Sequence, residues 1–331
     1  MIKNIPVAKN NRTITIEDSS EFSLLLSKTI QLKNSVETID IKNKIIQQDI
    51  MTVLNYLPSD PFIDLLIIDP PYNLTKQYSE HQFKKMNDDD YSLWFESWFR
   101  LLIPKVKQTG SVYICCDWQS SNIIYTILKK YCIIRNRITW EREKGRGSKT
   151  NWKNCSEDIW YATLSNDYYF NVEEVKLKKK VLASYKDSEG NAKDWEESDD
   201  GKYRMTYPSN LMTDISIPFW SMPENTPHPT QKPEKLIAKL ILASSQENDF
   251  VFDPFLGSGT TAVVAKKLNR TYCGIEQEEE YCGYIIKRLN QCDRNNNNIS
   301  GYEDGIFWER NSKTEVKFKL KNLIEEIYND N

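Results

Sequence analysis

One acid, two prolines and an aromatic ring follow directly on an apolar run in this sequence. Leu65 to Ile68 are aliphatic, and Asp69, Pro70, Pro71 and Tyr72 come next. Each proline fixes its own φ and lacks a backbone donor, so the chain leaving Asp69 is stiff. The Asp69 carboxylate and the Pro70 carbonyl can both accept hydrogen bonds from one small amine, while the Tyr72 ring offers a flat wall. These residue types therefore predict chemistry on the amino group of a planar molecule, such as a nucleobase.

The four residues Asp69 to Tyr72 resemble the catalytic motif of the amino-group DNA methyltransferases, which methylate the exocyclic nitrogen of adenine or cytosine. Such an amine is a poor nucleophile because its lone pair is delocalised into the ring. Two acceptors on its hydrogens favour the pyramidal geometry that makes the pair available. The resemblance implies catalytic roles for Asp69, Pro70, Pro71 and Tyr72. A plain turn after a strand can contain the same residues, so the interpretation depends on a second motif.

That second motif is a glycine-rich turn between a predicted strand at 249–253 and a helix that reaches Leu268. A further strand then ends in an acid. This layout is that of a nucleoside-binding half-sheet, because glycines let the backbone approach a ligand and the acid can bind both ribose hydroxyls. The predicted cofactor residues of this region are Asp253, Pro254, Phe255, Gly257, Ser258, Gly259, Thr260, Thr261 and Glu276.

The same glycine spacing also fits a nicotinamide-binding turn, so a dehydrogenase is the main rival from another class. Two observations count against it. Asp253 lies beside the glycines, where a carboxylate repels a pyrophosphate but attracts the ammonium of a methionine group. A dehydrogenase also gives no role to Asp69 and Tyr72.

A third segment, 228–233, resembles the start of the cofactor domain in the same methyltransferases, where polar groups contact the methionine end of S-adenosylmethionine. Free amides and the dipole at a helix start favour an anion such as the methionine carboxylate. By this resemblance, S-adenosylmethionine is the expected cofactor, also held by Thr230, Gln231, Lys232, Asp49 and Asp69.

The motif order, catalytic first and cofactor second, resembles the beta class of amino methyltransferases from about residue 45 to 290. It implies an α/β fold with a doubly wound, mostly parallel sheet, Rossmann-like and circularly permuted. The carboxyl ends of parallel strands share one sheet edge, so Asp49 and Asp69 are expected together there. An aspartate at the head of the motif favours adenine N6 as the target. Cytosine N4 enzymes more often begin the motif with serine, and that alternative stays open.

The positions of the motifs and the resemblance to this family imply a division of the chain into five parts. They are an N-terminal extension (1–44), a catalytic half (45–164), a target-recognition region (165–226), a cofactor half (227–294) and a C-terminal tail (295–331). Residues 73–90 are polar and predict a mobile loop that can cover the site. Residues 167–200 alternate basic and acidic clusters, which predicts an irregular insert. A short amphipathic helix is expected at 316–328, where it can pack back or join a partner subunit.

Contact with double-stranded DNA is expected from a glycine-containing loop at 141–153, which holds five cations, two acids and Trp152. Basic side chains bind phosphates and an aromatic ring can stack on a base, although a solvated surface loop has the same composition. The target base is expected to leave the helix and enter the pocket. The predicted DNA-binding residues are Arg142, Lys144, Arg146, Lys149, Lys153 and Arg204.

Composition sets further limits on the 331-residue chain. A net charge of −3 and a pI near 5.7 argue weakly against a nucleic-acid-binding protein. No apolar run is long enough to span a bilayer, the start has no signal-peptide region, and seven scattered cysteines indicate reduced thiols, so a cytoplasmic protein is expected. No cysteine follows a proline, which disfavours ring-carbon methylation of cytosine. His81 and His228 are too few for a metal site. The resemblance also implies a homodimer, and a companion restriction nuclease is a candidate partner whose presence the sequence does not reveal.

Overall fold

An eight-stranded sheet with helices on both faces forms the centre of the protein. The computed structural model describes residues 10–142, 147, 149–181, 186–191, 193–198, 201–292 and 298–310. The helices are α1 (Ser19–Leu26), α2 (Thr38–Ile41), α3 (Ile50–Val53), α4 (Asp88–Leu102), α5 (Ser121–Tyr131), α6 (Glu234–Ser244), α7 (Thr260–Lys267) and α8 (Glu279–Cys292). Short 3-10 helices occupy Ile103–Lys105 and Glu173–Val175.

The strands of the described residues form the central eight-stranded sheet, a second sheet of five strands and a two-stranded hairpin. They are β1 (Lys44–Gln47), β2 (Ile63–Ile68), β3 (Lys76–Tyr78), β4 (His81–Phe83), β5 (Val106–Cys116), β6 (Ile133–Glu141), β7 (Ser156–Thr163), β8 (Leu177–Lys180), β9 (Glu196–Ser198), β10 (Gly201–Thr206), β11 (Leu211–Met212), β12 (Phe250–Asp253), β13 (Thr271–Glu276), β14 (Tyr302–Glu303) and β15 (Ile306–Trp308). The strand order across the eight-stranded central sheet is β1-β13-β12-β2-β5-β7-β6-β11. Pairing is parallel from β1 to β5 and between β6 and β11, whereas β7 is antiparallel to both of its neighbours.

Side chains of β2 alternate between two buried cores, which shows that both faces of the sheet are covered. Leu65 and Ile67 belong to the core that contains the apolar residues of α6, α7 and α8. Leu66 and Ile68 belong to the opposite core, formed with α4 and α5. A strand buried on both faces needs a continuous aliphatic run, and this one has it. The prediction of a doubly wound, mostly parallel α/β sheet is therefore confirmed.

The two strands that carry the sequence motifs are neighbours. Parallel pairing joins Leu65 of β2 to Val251 of β12, and Leu66 to Phe252. Because both strands run the same way, the turns that follow them leave from the same edge of the sheet. Strands β1 and β2 are not adjacent, since β13 and β12 lie between them, but their carboxyl ends still share that edge.

The predicted irregular insert contains strands. In a second sheet of five strands, with the order β14-β15-β8-β10-β9, strands β8 and β9 come from the predicted insert and β10 directly follows it. The other two come from the predicted tail, and Phe307 of β15 pairs with Leu177 of β8. The expectation of irregular structure is wrong for β8 and β9. Their many charged residues give no apolar alternation, because this small sheet buries little surface. Strand pairing thus crosses the domain boundaries predicted from the sequence.

The polar stretch at 73–90 forms a short hairpin of β3 and β4. Its turn contacts the start of α8: the Ser79 hydroxyl donates to Glu280 at 2.7 Å, and the backbone amide of Glu80 donates to Glu278 at 3.1 Å. Whether this segment moves stays a prediction. The amphipathic helix expected at 316–328 lies outside the described residues. Within the described part of the chain, no helix combines the length and apolar character needed to cross a bilayer.

Candidate active site

A cavity of about 240 Å³ opens at the carboxyl edge of the sheet, between the end of β2, the glycine-rich turn and the segment before α6. All four predicted catalytic residues line it, Asp69, Pro70, Pro71 and Tyr72. The predicted cofactor residues that line it are Asp49, Asp69, Thr230, Gln231, Lys232, Asp253, Pro254, Phe255, Gly257, Ser258, Thr260, Thr261 and Glu276. Two segments remote in sequence therefore meet at one cavity.

The turn after β2 is held in place by the residues that follow it. The Tyr91 hydroxyl of α4 donates to the Pro71 carbonyl at 3.0 Å. The buried Asn73 side chain both donates to the Met86 carbonyl, at 2.9 Å, and accepts from the Met86 amide, at 2.8 Å. These bonds hold the two prolines in one arrangement, so the Asp69 carboxylate is positioned before any ligand arrives.

Both oxygens of the Asp69 carboxylate have partners. Lys232 Nζ lies 2.6 Å from Oδ2, and the Tyr72 hydroxyl lies 3.1 Å from Oδ1. Lys232 precedes α6, and its ammonium also lies 5.3 Å from the centre of the Tyr72 ring. The sequence analysis predicts that Lys232 binds the methionine carboxylate of the cofactor. In the structure its ammonium instead pairs with Asp69, the predicted catalytic acid.

Glu157 is a site residue that the sequence reasoning missed. It lies at the start of β7, and its Oε2 atom is 3.1 Å from the Tyr72 hydroxyl and 3.3 Å from Lys232 Nζ. Its Oε1 atom is 2.6 Å from Arg142 Nη1. Only the antiparallel return of β7 brings this acid to the site edge. The available signal was an acid at the head of an otherwise apolar strand, which is too common to single it out.

Protonation in this cluster follows from burial and charge. Burial alone would lower the pKa of Lys232, but the carboxylates of Asp69 and Glu157 outweigh it and hold that pKa above its ordinary value. Burial raises the pKa of the Asp69 carboxyl, and the Lys232 ammonium opposes the shift. Burial and the same two carboxylates raise the pKa of Tyr72 well above its usual range. The Tyr72 hydroxyl therefore stays protonated and remains a donor.

The two glycines of the cofactor turn have different surroundings. Gly257 has a φ of +53°, and a Cβ built on it would lie 3.0 Å from His228 Nε2. Gly259 has a φ of +79°, and a Cβ there would lie 2.7 Å from Ile285 of α8. Gly257 lines the cavity, whereas Gly259 is not among the lining residues and contacts the core behind it. Gly259 was predicted to bind cofactor; the structure gives it a place in the packing of α7 against α8.

Two buried acids flank this turn. Asp253 accepts from the Phe255 amide at 2.9 Å and from the Thr261 hydroxyl at 2.6 Å, and burial raises its pKa to about 7. Glu276 accepts from the Gly257 amide at 2.8 Å, and burial raises its pKa to about 8. A buried carboxyl with a raised pKa lacks sufficient positive charge nearby, so a cationic ligand fits this side of the cavity.

The segment before α6 is organised by its own side chains. The Gln231 side chain donates to the Glu224 carbonyl at 2.6 Å and accepts from the Thr226 amide at 2.9 Å, so both ends of its amide are used within the segment. His228 accepts from the Thr230 amide through Nδ1 at 3.3 Å. Burial first, and then nearby cations, lower the pKa of His228 to about 3, so the ring is neutral.

The predicted DNA-binding residues are placed unequally. Arg142 points inward to Glu157, whereas Lys149, Lys153 and Arg204 are exposed. Trp152 in the same loop is 93% exposed. Lys144 and Arg146 lie outside the described residues. Among the residues that are described, no group of acids, histidines and cysteines is arranged to hold a metal ion.

Comparison with known proteins gives one family and several relatives. A family model described as DNA methylase, for the N6 and N4 enzymes, matches residues 63–288, which include both motif turns. The Type II methyltransferase M.HpaI of Haemophilus parainfluenzae is 33% identical over 230 residues, which span 69% of this chain and 68% of that protein. The DNA adenine methyltransferase YhdJ of Escherichia coli is 29% identical over 247 residues, or 74% and 82% of the two chains. The solved complex of M1.HpyAVI with S-adenosylmethionine superposes with a TM-score of 0.51 at 23% identity, covering 74% of this chain and 98% of that one, and so shares the fold.

Proposed function

The chain belongs to the N6 and N4 DNA methylase family, and we propose that it transfers a methyl group from S-adenosylmethionine to N6 of an adenine in double-stranded DNA. The observation that carries the proposal is the meeting of two turns at one cavity. The Asp69 turn supplies acceptors for an amine, and the glycine-rich turn supplies a nucleoside-sized recess lined by acids.

The residues of the cavity fit S-adenosylmethionine. The group is cationic at its sulfonium and its ammonium, and Asp253 and Glu276 are buried acids whose raised pKa values show a shortage of positive charge. The absence of a side chain at Gly257 leaves open the space that a Cβ would fill beside His228. The same acids disfavour a pyrophosphate, which counts against the nicotinamide alternative. When bound, S-adenosylmethionine supplies the electrophilic methyl group.

The protein's part in the reaction is positioning and electrostatics. Asp69 and the Pro70 carbonyl would accept hydrogen bonds from the target amine and localise its lone pair, and the Tyr72 ring would stack on the flipped base. Asp253, Gly257 and Glu276 would hold the methionine and ribose parts. Asp49, exposed at the rim of the cavity, would contact the adenine ring of the cofactor.

Adenine is the proposed target because the motif begins with Asp69 and because one relative is named a DNA adenine methyltransferase. Cytosine N4 is the second candidate, since the matching family covers both reactions. The test incubates the protein with labelled S-adenosylmethionine and unmethylated mixed-sequence duplex DNA, then identifies the modified nucleoside by mass spectrometry. N6-methyladenine supports the proposal, N4-methylcytosine replaces it with the second candidate, and the absence of any methylated nucleoside overturns both.

We further propose that residues 165–226 form the target-recognition region, with the exposed Lys149, Lys153 and Arg204 contacting phosphates. A relative named a Type II methyltransferase suggests a companion nuclease that cleaves the same unmethylated sequence. We also propose a homodimer, from the resemblance to the beta class, and a cytoplasmic location, because the substrate is DNA. Protection of methylated DNA against the nuclease activity of a cell extract tests the companion nuclease. Light scattering of the purified protein tests the homodimer.

A further inference from the structure

In the structure, the predicted catalytic acid is paired with a cation from the protein itself. Lys232 Nζ lies 2.6 Å from Asp69 Oδ2, which is the kind of contact that the target amine would make. The Tyr72 hydroxyl uses the other oxygen, Oδ1, at 3.1 Å. An incoming amine therefore meets a carboxylate whose two oxygens each already accept from a resident donor, and release of Lys232 would leave Oδ2 to that amine.

Lys232 is 7% exposed, so it cannot simply leave Asp69 for solvent. A buried charge deprived of its only partner is strongly unfavourable. Glu157 provides a second carboxylate, with Oε2 already 3.3 Å from the same ammonium. Charge-assisted bonds of this kind are about 2.7–2.9 Å long, so a movement of about half an ångström completes the contact.

The Tyr72 hydroxyl can follow the same exchange. It lies 3.1 Å from Asp69 and 3.1 Å from Glu157, and its one hydrogen can serve only one of them at a time. Glu157 is itself held in place by Arg142 at 2.6 Å. A second cavity of about 100 Å³ borders both Lys232 and Glu157, which leaves room for the lysine to shift.

We propose that Glu157 is a positioning residue that takes over Lys232 and the Tyr72 hydroxyl when the target amine enters, and so frees Asp69 to accept that amine. The proposal rests on the proposed methyltransferase function. Glu157 never needs to touch the reacting atoms. It keeps the buried ammonium paired through the whole cycle, in two alternative arrangements of the same four side chains.

The first test is Glu157→Gln, which keeps the size of the side chain and an acceptor for Tyr72 but removes the charge that Lys232 needs. We expect kcat for DNA methylation to fall by about tenfold or more, the scale of coupling within one charged network. Binding of S-adenosylmethionine, measured by calorimetry, should be unchanged. The matched control is Asp158→Asn, the next residue of β7, whose carboxylate instead pairs with Thr139 and Arg137; it should keep the wild-type kcat.

A double-mutant cycle separates this role from a merely structural one. In a Lys232→Met background no ammonium has to be transferred, so adding Glu157→Gln should cause little further loss. If the two losses multiply, Glu157 acts independently of Lys232 and the proposal is overturned. Should Glu157→Gln alone not fold, the comparison of Lys232→Met with the double variant still decides the question.

Failure of this inference is distinct from failure of the proposed function. If the wild-type protein methylates DNA and Glu157→Gln is equally fast, the exchange of Lys232 is wrong and the function stands. If the wild-type protein produces no methylated nucleoside, the function itself is wrong, whatever the variant does.

Discussion

The two turns that meet at the cavity satisfy their acids in different ways. Asp253, on the cofactor side, accepts from Phe255 and Thr261, both within its own turn and the helix that follows. Asp69, on the catalytic side, is bound by Lys232, which is remote in sequence. The Asp253 carboxylate is thus satisfied within its own turn and the following helix, whereas the charge of the Asp69 carboxylate is balanced by a side chain from a distant segment.

This difference predicts that the catalytic turn can be disabled without loss of the cofactor turn. Asp69→Ala should lower methyl transfer by about a thousandfold, the scale seen when a key electrostatic contact to the transition state is removed. S-adenosylmethionine should still bind, because Asp253, Gly257 and Glu276 are intact. Filter capture of DNA that carries the labelled methyl group measures methyl transfer, and calorimetry with S-adenosylmethionine measures cofactor binding. Asp60→Ala, at an exposed acid before β2, is the matched control and should keep full activity.

The cofactor turn should respond differently at its two glycines. Gly259→Ala places a Cβ 2.7 Å from Ile285 at a φ of +79°, so we expect a stability loss of about 2 kcal/mol, typical of overpacking. Gly257→Ala faces the cavity and should mainly weaken cofactor binding. Thermal unfolding with and without S-adenosylmethionine separates the effects. Equal Tm losses in both variants, with equal cofactor affinity, would contradict the distinction.

The buried acids of the cofactor side predict a pH dependence. Their pKa values in the folded protein are about 7 for Asp253 and about 8 for Glu276, above those of the unfolded chain. The folded protein therefore binds more protons than the unfolded chain between about pH 4 and pH 8. Through these two groups, the stability of the ligand-free protein falls as pH rises across that window, while stabilisation by the cationic cofactor grows.

Thermal unfolding from pH 5 to pH 8 checks this sign. In the Asp253→Asn variant this side chain cannot ionise, so the decrease in stability with rising pH should be smaller below about pH 7. An unchanged slope in that variant would show that Asp253 does not titrate as its burial indicates.

The smallest effects are expected at the exposed cations, which belong to neither turn. Lys149→Ala and Lys153→Ala should each reduce the salt dependence of DNA binding by a slope of about one, if each contacts one phosphate. The rate of methyl transfer at saturating DNA should be unchanged. Fluorescence anisotropy of a labelled duplex at several salt concentrations measures the slope. A loss of kcat in either variant would place the basic loop closer to the reaction than the structure does.

The contrast between contacts within one turn and contacts between distant segments also explains what could be predicted from the sequence. Asp69 to Tyr72 and Asp253 to Thr261 are readable because each motif carries its own turn residues and follows a buried strand. The parallel sheet followed from those strands. Glu157 was missed because its role depends on an antiparallel return beside β5, which a single sequence does not reveal. The strands of the insert were missed because a small, charged sheet lacks clear apolar alternation.

The joining of β15 to β8 also constrains how the protein is made. Strand β8 lies in the insert, but its parallel partner comes from residues 306–308, well after the cofactor half. During translation, the central sheet can pair before that late segment has left the ribosome, whereas the small sheet cannot. Until then one edge of β8 has no neighbour in this sheet, so a nascent chain stalled before residue 306 should be cut by protease in the insert while its central sheet resists.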